Sequence, residues 1–154
     1  MEEARRAEAA DLERCCELVT EALAATEGHR GAALLMAGAS AAGLASTLVE
    51  RWRDDDASAT VVGTFNDVIV GIAAGTVTES GPRLVGRIEC FYVEPDARAV
   101  GVGQAMVESL LEFFSARGCS DVDAMALPGD RTSKQLLESS GFKTRLLILH
   151  RSLD

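Results

Sequence analysis

The segment Arg98-Ala99-Val100-Gly101-Val102-Gly103 holds the residue types best suited to gripping an anionic ligand. It joins a β-branched, aromatic stretch to a stretch of helical periodicity, so its amides stand at a helix start. Such N–H groups lack intrahelical acceptors and sit at the positive end of the helix dipole, a combination that attracts phosphate. Gly101 and Gly103 carry no Cβ, which lets a bulky anion approach the backbone. Arg98 adds a planar fork of donors and a full charge at the rim. The same glycines also suit a plain strand-to-helix turn, and their spacing alone does not separate the two readings.

Two nucleotide-binding patterns can be weighed against this segment. A Walker-type loop requires Gly-Lys-Ser/Thr, and no lysine follows these glycines. A dinucleotide fold requires a third glycine where Met106 stands, and an acidic residue near the end of the next strand to hold a ribose. Asp121 and Asp123 have about the right separation but fall at that strand's start, so a dinucleotide-binding domain remains the lesser alternative.

The elements that must position this segment can be read outward from it. Val85–Val93 has the β pattern, and Gly81-Pro82 marks the turn before it. Thr60–Phe65 and Val68–Val77 are two further strands, joined through Asn66-Asp67, whose side chains tolerate the positive φ of a tight hairpin. Together they predict an antiparallel meander. After the glycines, Val107, Leu110, Leu111 and Phe114 recur at helical spacing, and Gly118 is placed to end that helix. Asp121–Leu127 then reads as a strand and Pro128-Gly129 as a turn. Asp130 caps a last helix through Ser140, Gly141 closes it, and Arg145–His150 reads as a terminal strand.

Toward the amino terminus, Glu3–Ala10 suggests a short edge strand. Asp11 is expected to cap a helix from about Leu12 to Ala25, with Leu12, Cys15, Cys16, Val19 and Leu23 on one face. Ser40 is expected to cap a second helix that runs to about Arg53 and stops at Asp54-Asp55-Asp56. Strand, helix, strand in that order makes a right-handed crossover between parallel strands. The expected fold is α/β with a mixed sheet: an antiparallel meander continued by a parallel βαβ pair.

Length and composition fit that fold. The 154 residues suit one domain over 1–154, and 47% hydrophobic with 25% charged residues is the profile of a globular protein. A net charge of −9 argues against non-specific nucleic-acid binding and suits a cationic or amine-bearing partner better. Cys15, Cys16, Cys90 and Cys119 show no C-x-x-C spacing, and His29 and His150 lie far apart, so no metal site is expected. With no leader peptide in view, the expectation is a cytoplasmic protein with reduced thiols. Gly31–Val49 has no charge, but its glycines, serines and threonine dilute the leucines too far for a membrane span; a loop and a buried helix are expected instead.

Taken with its flanks, the sequence from Val93-Glu94-Pro95 through Arg98-Ala99-Val100-Gly101-Val102-Gly103 to Ala105 resembles the signature of the GNAT superfamily of N-acetyltransferases: Val-x-Pro ending a strand, then Arg/Gln-x-x-Gly-x-Gly/Ala at a helix start. The element order is similar to that family's over nearly the whole chain, to the closing Gly141-Phe142.

The resemblance implies an acyl-CoA-dependent transferase that carries acetyl from acetyl-CoA to a primary amine on a small molecule or peptide. The donor would lie where two parallel strands splay apart. The backbone of Phe91, Tyr92 and Val93 would pair with its pantetheine arm, and the amides of Ala99 to Gly103 would take its pyrophosphate. Ser133 and Lys134 stand where relatives often touch the cofactor, although a solvated surface lysine explains Lys134 equally well. Acyl transfer by direct attack needs a neutral amine, so a carboxylate near the opening is useful, and Glu89 is the candidate base. Strand alternation puts Glu89 on the side of Phe91 and Val93, away from Cys90 and Tyr92, unless a bulge shifts the register. An ion pair with a neighbour such as Arg87 would explain Glu89 as well.

Two departures from the family pattern matter. Leu137 stands where relatives often have a tyrosine that protonates the leaving thiolate, and Asp130 stands where an asparagine is frequent. The first keeps open a non-catalytic CoA-binding sensor. The acceptor site is expected between the loop around Gly28–Leu35 and the second helix, with His29 and Arg30 as contacts. The resemblance also leaves room for a homodimer.

Overall fold

A computed structural model of the protein describes residues 1–33 and 41–153. The described elements are β1 (Glu2–Arg6), α1 (Leu12–Thr26), α2 (Ala41–Asp54), β2 (Ser58–Phe65), β3 (Val68–Ser80), β4 (Arg83–Val93), α3 (Val102–Ala116), β5 (Asp121–Ala124) and α4 (Arg131–Ser139), with short 3-10 turns at Ala9–Asp11 and Pro95–Ala97. The strands form one sheet in the order β1-β2-β3-β4-β5. β1 to β4 pair antiparallel, and β5 joins β4 in parallel. This is the expected mixed sheet. No helix among the described residues is long and apolar enough to cross a membrane.

Alternation along β2 and β3 explains why so much of the chain is apolar, because both sheet faces are covered. Val62, Ile72 and Ala74 face α1 and α2, where Cys15, Leu18, Val19, Val49 and Trp52 complete one core. Val61 and Ala73 face the other way, onto Val102, Met106, Leu110 and Phe114 of α3. Helix α3 lies close to the sheet because glycines lie beneath it. A Cβ on Gly86 would stand 2.5 Å from the Phe114 ring, and one on Gly75 would meet the same ring at 2.5 Å. The β2–β3 turn has φ of 49° at Asn66 and 68° at Asp67, the left-handed pair that a two-residue hairpin requires.

The structure departs from expectation in several places. The Asp11 side chain does not cap α1. It accepts instead from Arg5, through Nη1 to Oδ2 at 2.7 Å and Nη2 to Oδ1 at 3.1 Å, and from the Glu8 amide at 2.8 Å, which ties β1 to the turn before the helix. On α1 the buried stripe includes Leu18, which the expected face omitted, and on α3 Leu111 is only half-buried. β5 ends at Ala124 rather than Leu127, because its ladder with β4 stops there. Arg145–His150 forms no strand: residues 142–153 have no regular structure, since β propensity yields a strand only where a partner accepts its backbone bonds. Asp130 does cap the last helix, accepting from the Ser133 amide at 3.1 Å. Gly118 and Gly141 follow their helices at φ of 81° and 94°. Ser40, the expected cap of α2, lies outside the described residues, as does the part of the acceptor loop at 34–35.

Candidate active site

The site is built around a failure of the sheet. β4 and β5 pair from Val85↔Asp121 to Ile88↔Ala124 and no further, so β4 from Glu89 to Val93 has no strand beside it on that edge among the described residues. The break coincides with a bulge. β3 pairs Ala74 with Cys90 but Gly75 with Ile88, leaving Glu89 as an extra residue. A bulge bends its strand and re-aims side chains, and it does both here. Ile88, Phe91 and Val93 all pack on the α3 side, while Cys90 and Tyr92 pack on the α1–α2 side.

The bulge also decides where Glu89 points. Simple alternation put its carboxylate with Phe91 and Val93; the structure puts it on the opposite face, against α2. Oε2 of Glu89 accepts from the Trp52 indole Nε1 at 2.7 Å and from Arg51 Nη2 at 2.5 Å. Arg51, and not Arg87, is therefore its ionic partner. Among the described residues no hydrogen bond reaches Oε1. The Glu89 side chain keeps 23% of its surface exposed. Sequence reading missed both partners, although the only tryptophan in the chain, placed just before Arg53 and the acidic run, was a signal that a buried N–H would need an acceptor.

At the far end of β4 the chain makes a 3-10 turn and then enters the left-handed region twice, at Ala99 (φ 66°) and Gly101 (φ 91°), before α3 begins at Val102. Successive N–H groups in such alternating conformations converge on one side as an anion-binding nest. Among the described residues the amides of Ala99, Val100, Gly101, Val102 and Gly103 find no acceptor, and no side chain caps α3. The turn is exposed except at Val102, which is buried in the core and anchors it, and Gly103, which is half-buried. Arg98 is held in place: its Nε donates to Val93 O at 3.0 Å, and its guanidinium lies 5.8 Å from the centre of the Tyr92 ring. Both terminal nitrogens are left uncommitted among the described residues. The segment leading into the turn is clamped by Arg14, which donates to Ile69 O and pairs with Glu94.

The glycines have separate reasons. Gly101 supplies the left-handed conformation. Gly103 is set by packing, because a Cβ there would stand 2.7 Å from Leu136 of α4 and 3.2 Å from the Phe91 ring. Open approach, the reason read from sequence, is met at neither glycine, since a Cβ on Gly101 would stand 3.1 Å from Cγ and 3.4 Å from Oε1 of Glu2. Phe91 and Leu136 thus line the α3 side of the opening. Tyr92 faces away, its hydroxyl 3.3 Å from Glu21 Oε2, and burial together with that carboxylate raises its pKa. Of the three residues expected along the cofactor arm, Val93 has already given its carbonyl to Arg98. Ser133 spends its amide on the helix cap, and Lys134 is exposed, its ammonium 3.8 Å from Glu138.

Across the opening, the loop after α1 touches the turn after β5. A Cβ on Gly129 would stand 2.7 Å from the His29 ring, and one on Gly31 would stand 3.3 Å from Leu127. His29 Nδ1 is 2.9 Å from Ala25 O, and Arg30 is exposed. Burial pushes Cys90 up to about 12 and Cys15 up to about 11, so these two thiols stay protonated near neutral pH. Among the described residues no group of three or more His, Cys, Asp or Glu side chains is placed to hold a metal ion.

A parallel pair that parts beside a helix start with uncommitted amides defines a mixed α/β protein. The sequence model of the Acetyltransferase (GNAT) family matches residues 18–142, and the chain belongs to that family. Solved structures share the fold at low identity. One is the aminoglycoside acetyltransferase AAC(6')-Iy in complex with a bisubstrate analog, CoA-S-monomethyl-acetylneamine; it is 18% identical with a TM-score of 0.75, over 100% of this chain and 99% of that one. A transcriptional regulator from Bacillus halodurans C-125 is 19% identical with a TM-score of 0.75, over 99% and 100%. A predicted acetyltransferase with acetyl-CoA from Clostridium acetobutylicum is 16% identical with a TM-score of 0.74, over 99% and 96%. No curated protein matches the chain by sequence.

Proposed function

We propose that the protein is an N-acyltransferase that moves acetyl from acetyl-CoA to a primary amine by direct attack in a ternary complex. The observation that carries this reading is the row of uncommitted amides from Ala99 to Gly103, set in a left-handed turn at the end of an unpaired stretch of β4. Those amides suit a diphosphate, Arg98 adds charge at the rim, and the bare edge from Glu89 to Val93 offers backbone groups to an amide-bearing arm. When bound, acetyl-CoA supplies an activated thioester. Family membership and the CoA-containing structures of similar fold support that choice of donor.

The chain's own residues then have separable tasks. The loop bearing His29 and Arg30, with the turn at Leu127–Gly129, would close over the acceptor. Glu89 would take the proton from the acceptor ammonium through Oε1, directly or by way of water, while Trp52 and Arg51 hold Oε2 still. The freed amine nitrogen bonds to the thioester carbonyl carbon, the carbon–sulfur bond breaks with its electron pair leaving on sulfur, and the nitrogen releases its surplus proton to solvent to leave the neutral amide. Leu137 is buried and carries no proton, so the thiolate would take its proton from solvent. An acidic chain, net −9, suits a cationic acceptor.

Leu137 also favours a second reading, a CoA-binding sensor without turnover. Incubation with acetyl-CoA and an amine library, following thiol release, separates the two. Turnover that falls by about 10²- to 10⁴-fold in Glu89→Gln, with CoA binding unchanged, supports the transferase. CoA binding without turnover on any amine favours the sensor, and absence of CoA binding in calorimetry removes both.

A further inference from the structure

Tyr92 is the only tyrosine in the chain, and its side chain lies on the α1–α2 side of β4, away from α3. Two separate contacts set its place. The ring packs against the core shared by α1 and α2, and the hydroxyl donates to Glu21 Oε2 of α1 at 3.3 Å. The Arg98 guanidinium carbon lies 5.8 Å from the centre of that fixed ring, within the range of a cation–π contact.

The arginine is thereby held twice. Its Nε donates to Val93 O at 3.0 Å, and the tyrosine ring stands beside its guanidinium. A guanidinium tied only at Nε can still swing, and a ring beside it takes away part of that freedom. Glu94, four residues earlier, is engaged by Arg14 and not by Arg98. Nη1 and Nη2 of Arg98 therefore meet no acceptor among the described residues, at the rim of a turn whose amides are also uncommitted. Ordering a long cationic side chain before an anion arrives lowers the entropy lost when it binds. We propose that Tyr92 is a positioning residue for the donor, its ring holding the Arg98 guanidinium ready for the diphosphate of CoA. The role rests on the reading of this turn as a CoA site, and Tyr92 acts through Arg98 without touching a reacting atom.

Calorimetric titration of CoA at fixed ionic strength tests this in the parent, Tyr92→Leu, Tyr92→Phe, Arg98→Ala and the Tyr92→Leu/Arg98→Ala pair. Leucine keeps an apolar side chain against the core and removes the ring, whereas phenylalanine keeps the ring and removes the hydroxyl. Tyr92→Leu should bind CoA roughly 2- to 5-fold more weakly, the size of an exposed cation–π contact. Tyr92→Phe should restore affinity to within about 2-fold of the parent, and adding Tyr92→Leu to Arg98→Ala should cost nothing further. Should Tyr92→Leu fail to fold by circular dichroism, Tyr92→Met carries the same comparison. An equal loss in the Arg98→Ala background overturns the proposal, because the tyrosine then supports the strand and not the arginine. A Tyr92→Phe variant as weak as Tyr92→Leu overturns it too. If Arg98→Ala weakens CoA binding and Tyr92→Leu does not, the CoA site stands and only this role falls; a parent that binds no CoA removes both.

Discussion

Ala99 offers the sharpest test of the anion-binding turn. It is a non-glycine residue at φ 66°, where an L-residue costs roughly 1–2 kcal/mol, and a β-branched side chain fits worse still. Ala99→Val therefore pushes the turn out of the left-handed region. No Cβ contact is lost, since Ala99 is exposed, and the perturbation is confined to the backbone. If the turn must recover its shape to receive a diphosphate, only the excess of valine over alanine is charged against binding, and about 1 kcal/mol becomes a roughly 5-fold weaker CoA affinity. Ala99→Gly removes the steric cost and keeps CoA affinity near that of the parent, with folding stability within about 1 kcal/mol because glycine loses more chain entropy. Calorimetric titration at fixed ionic strength reads both. Acetyl-pantetheine, which lacks the diphosphate, serves as the control donor: Ala99→Val must leave its turnover alone. Equal CoA affinity in the parent and Ala99→Val, or an equal loss with both donors, refutes the assignment of these amides to a diphosphate.

Other outcomes follow from contacts elsewhere. Trp52→Phe keeps the buried ring but removes the N–H bound to Glu89; with that carboxylate partly exposed, the cost is about 1–2 kcal/mol, or roughly 2–8 °C in melting temperature, while CoA affinity is unchanged. A melting temperature equal to the parent's would mean that the bond contributes nothing. Gly86→Ala drives a methyl into the Phe114 ring and should cost about 1–3 kcal/mol in denaturant titration, and a neutral result would place α3 farther from the sheet. Asp11 has its pKa lowered, chiefly by the Arg5 hydrogen bond and further by the Glu8 amide, against the opposing effect of burial. Its stabilisation is full above the unfolded value of about 3.9 and is lost as pH falls through the native one. Asp11→Asn should flatten that acid limb, and an unchanged slope below pH 4 would show the pair to be idle.

The meander, the crossover and the glycine-bearing turn into α3 were legible because each rests on local chemistry. Asn66-Asp67 fixes a hairpin whatever surrounds it, and Gly101 fixes the left-handed step before α3. What stayed hidden depends on partners distant in sequence. Glu89 reverses its face because one extra residue sits opposite Ala74 and Gly75 on another strand, and no pattern within β4 announces that. Trp52 and Arg51 reach Glu89 from α2 across 37 and 38 residues of chain. Gly103 looked like a concession to a ligand, whereas Leu136 and Phe91 already require it. Arg145–His150 has the composition of a strand, yet a strand is a relation between two segments, and among the described residues none pairs with it.

The bulge at Glu89 couples two properties that could otherwise vary separately. The extra residue coincides with the end of the ladder to β5, where the two strands part, and it also turns a carboxylate through the sheet toward α2. The uncommitted amides at the start of α3 and the carboxylate anchored on Trp52 thus belong to opposite faces of one strand. Closing up that register by a single deletion would shift the point where the strands part and the carboxylate together, so neither could be tuned without disturbing the other.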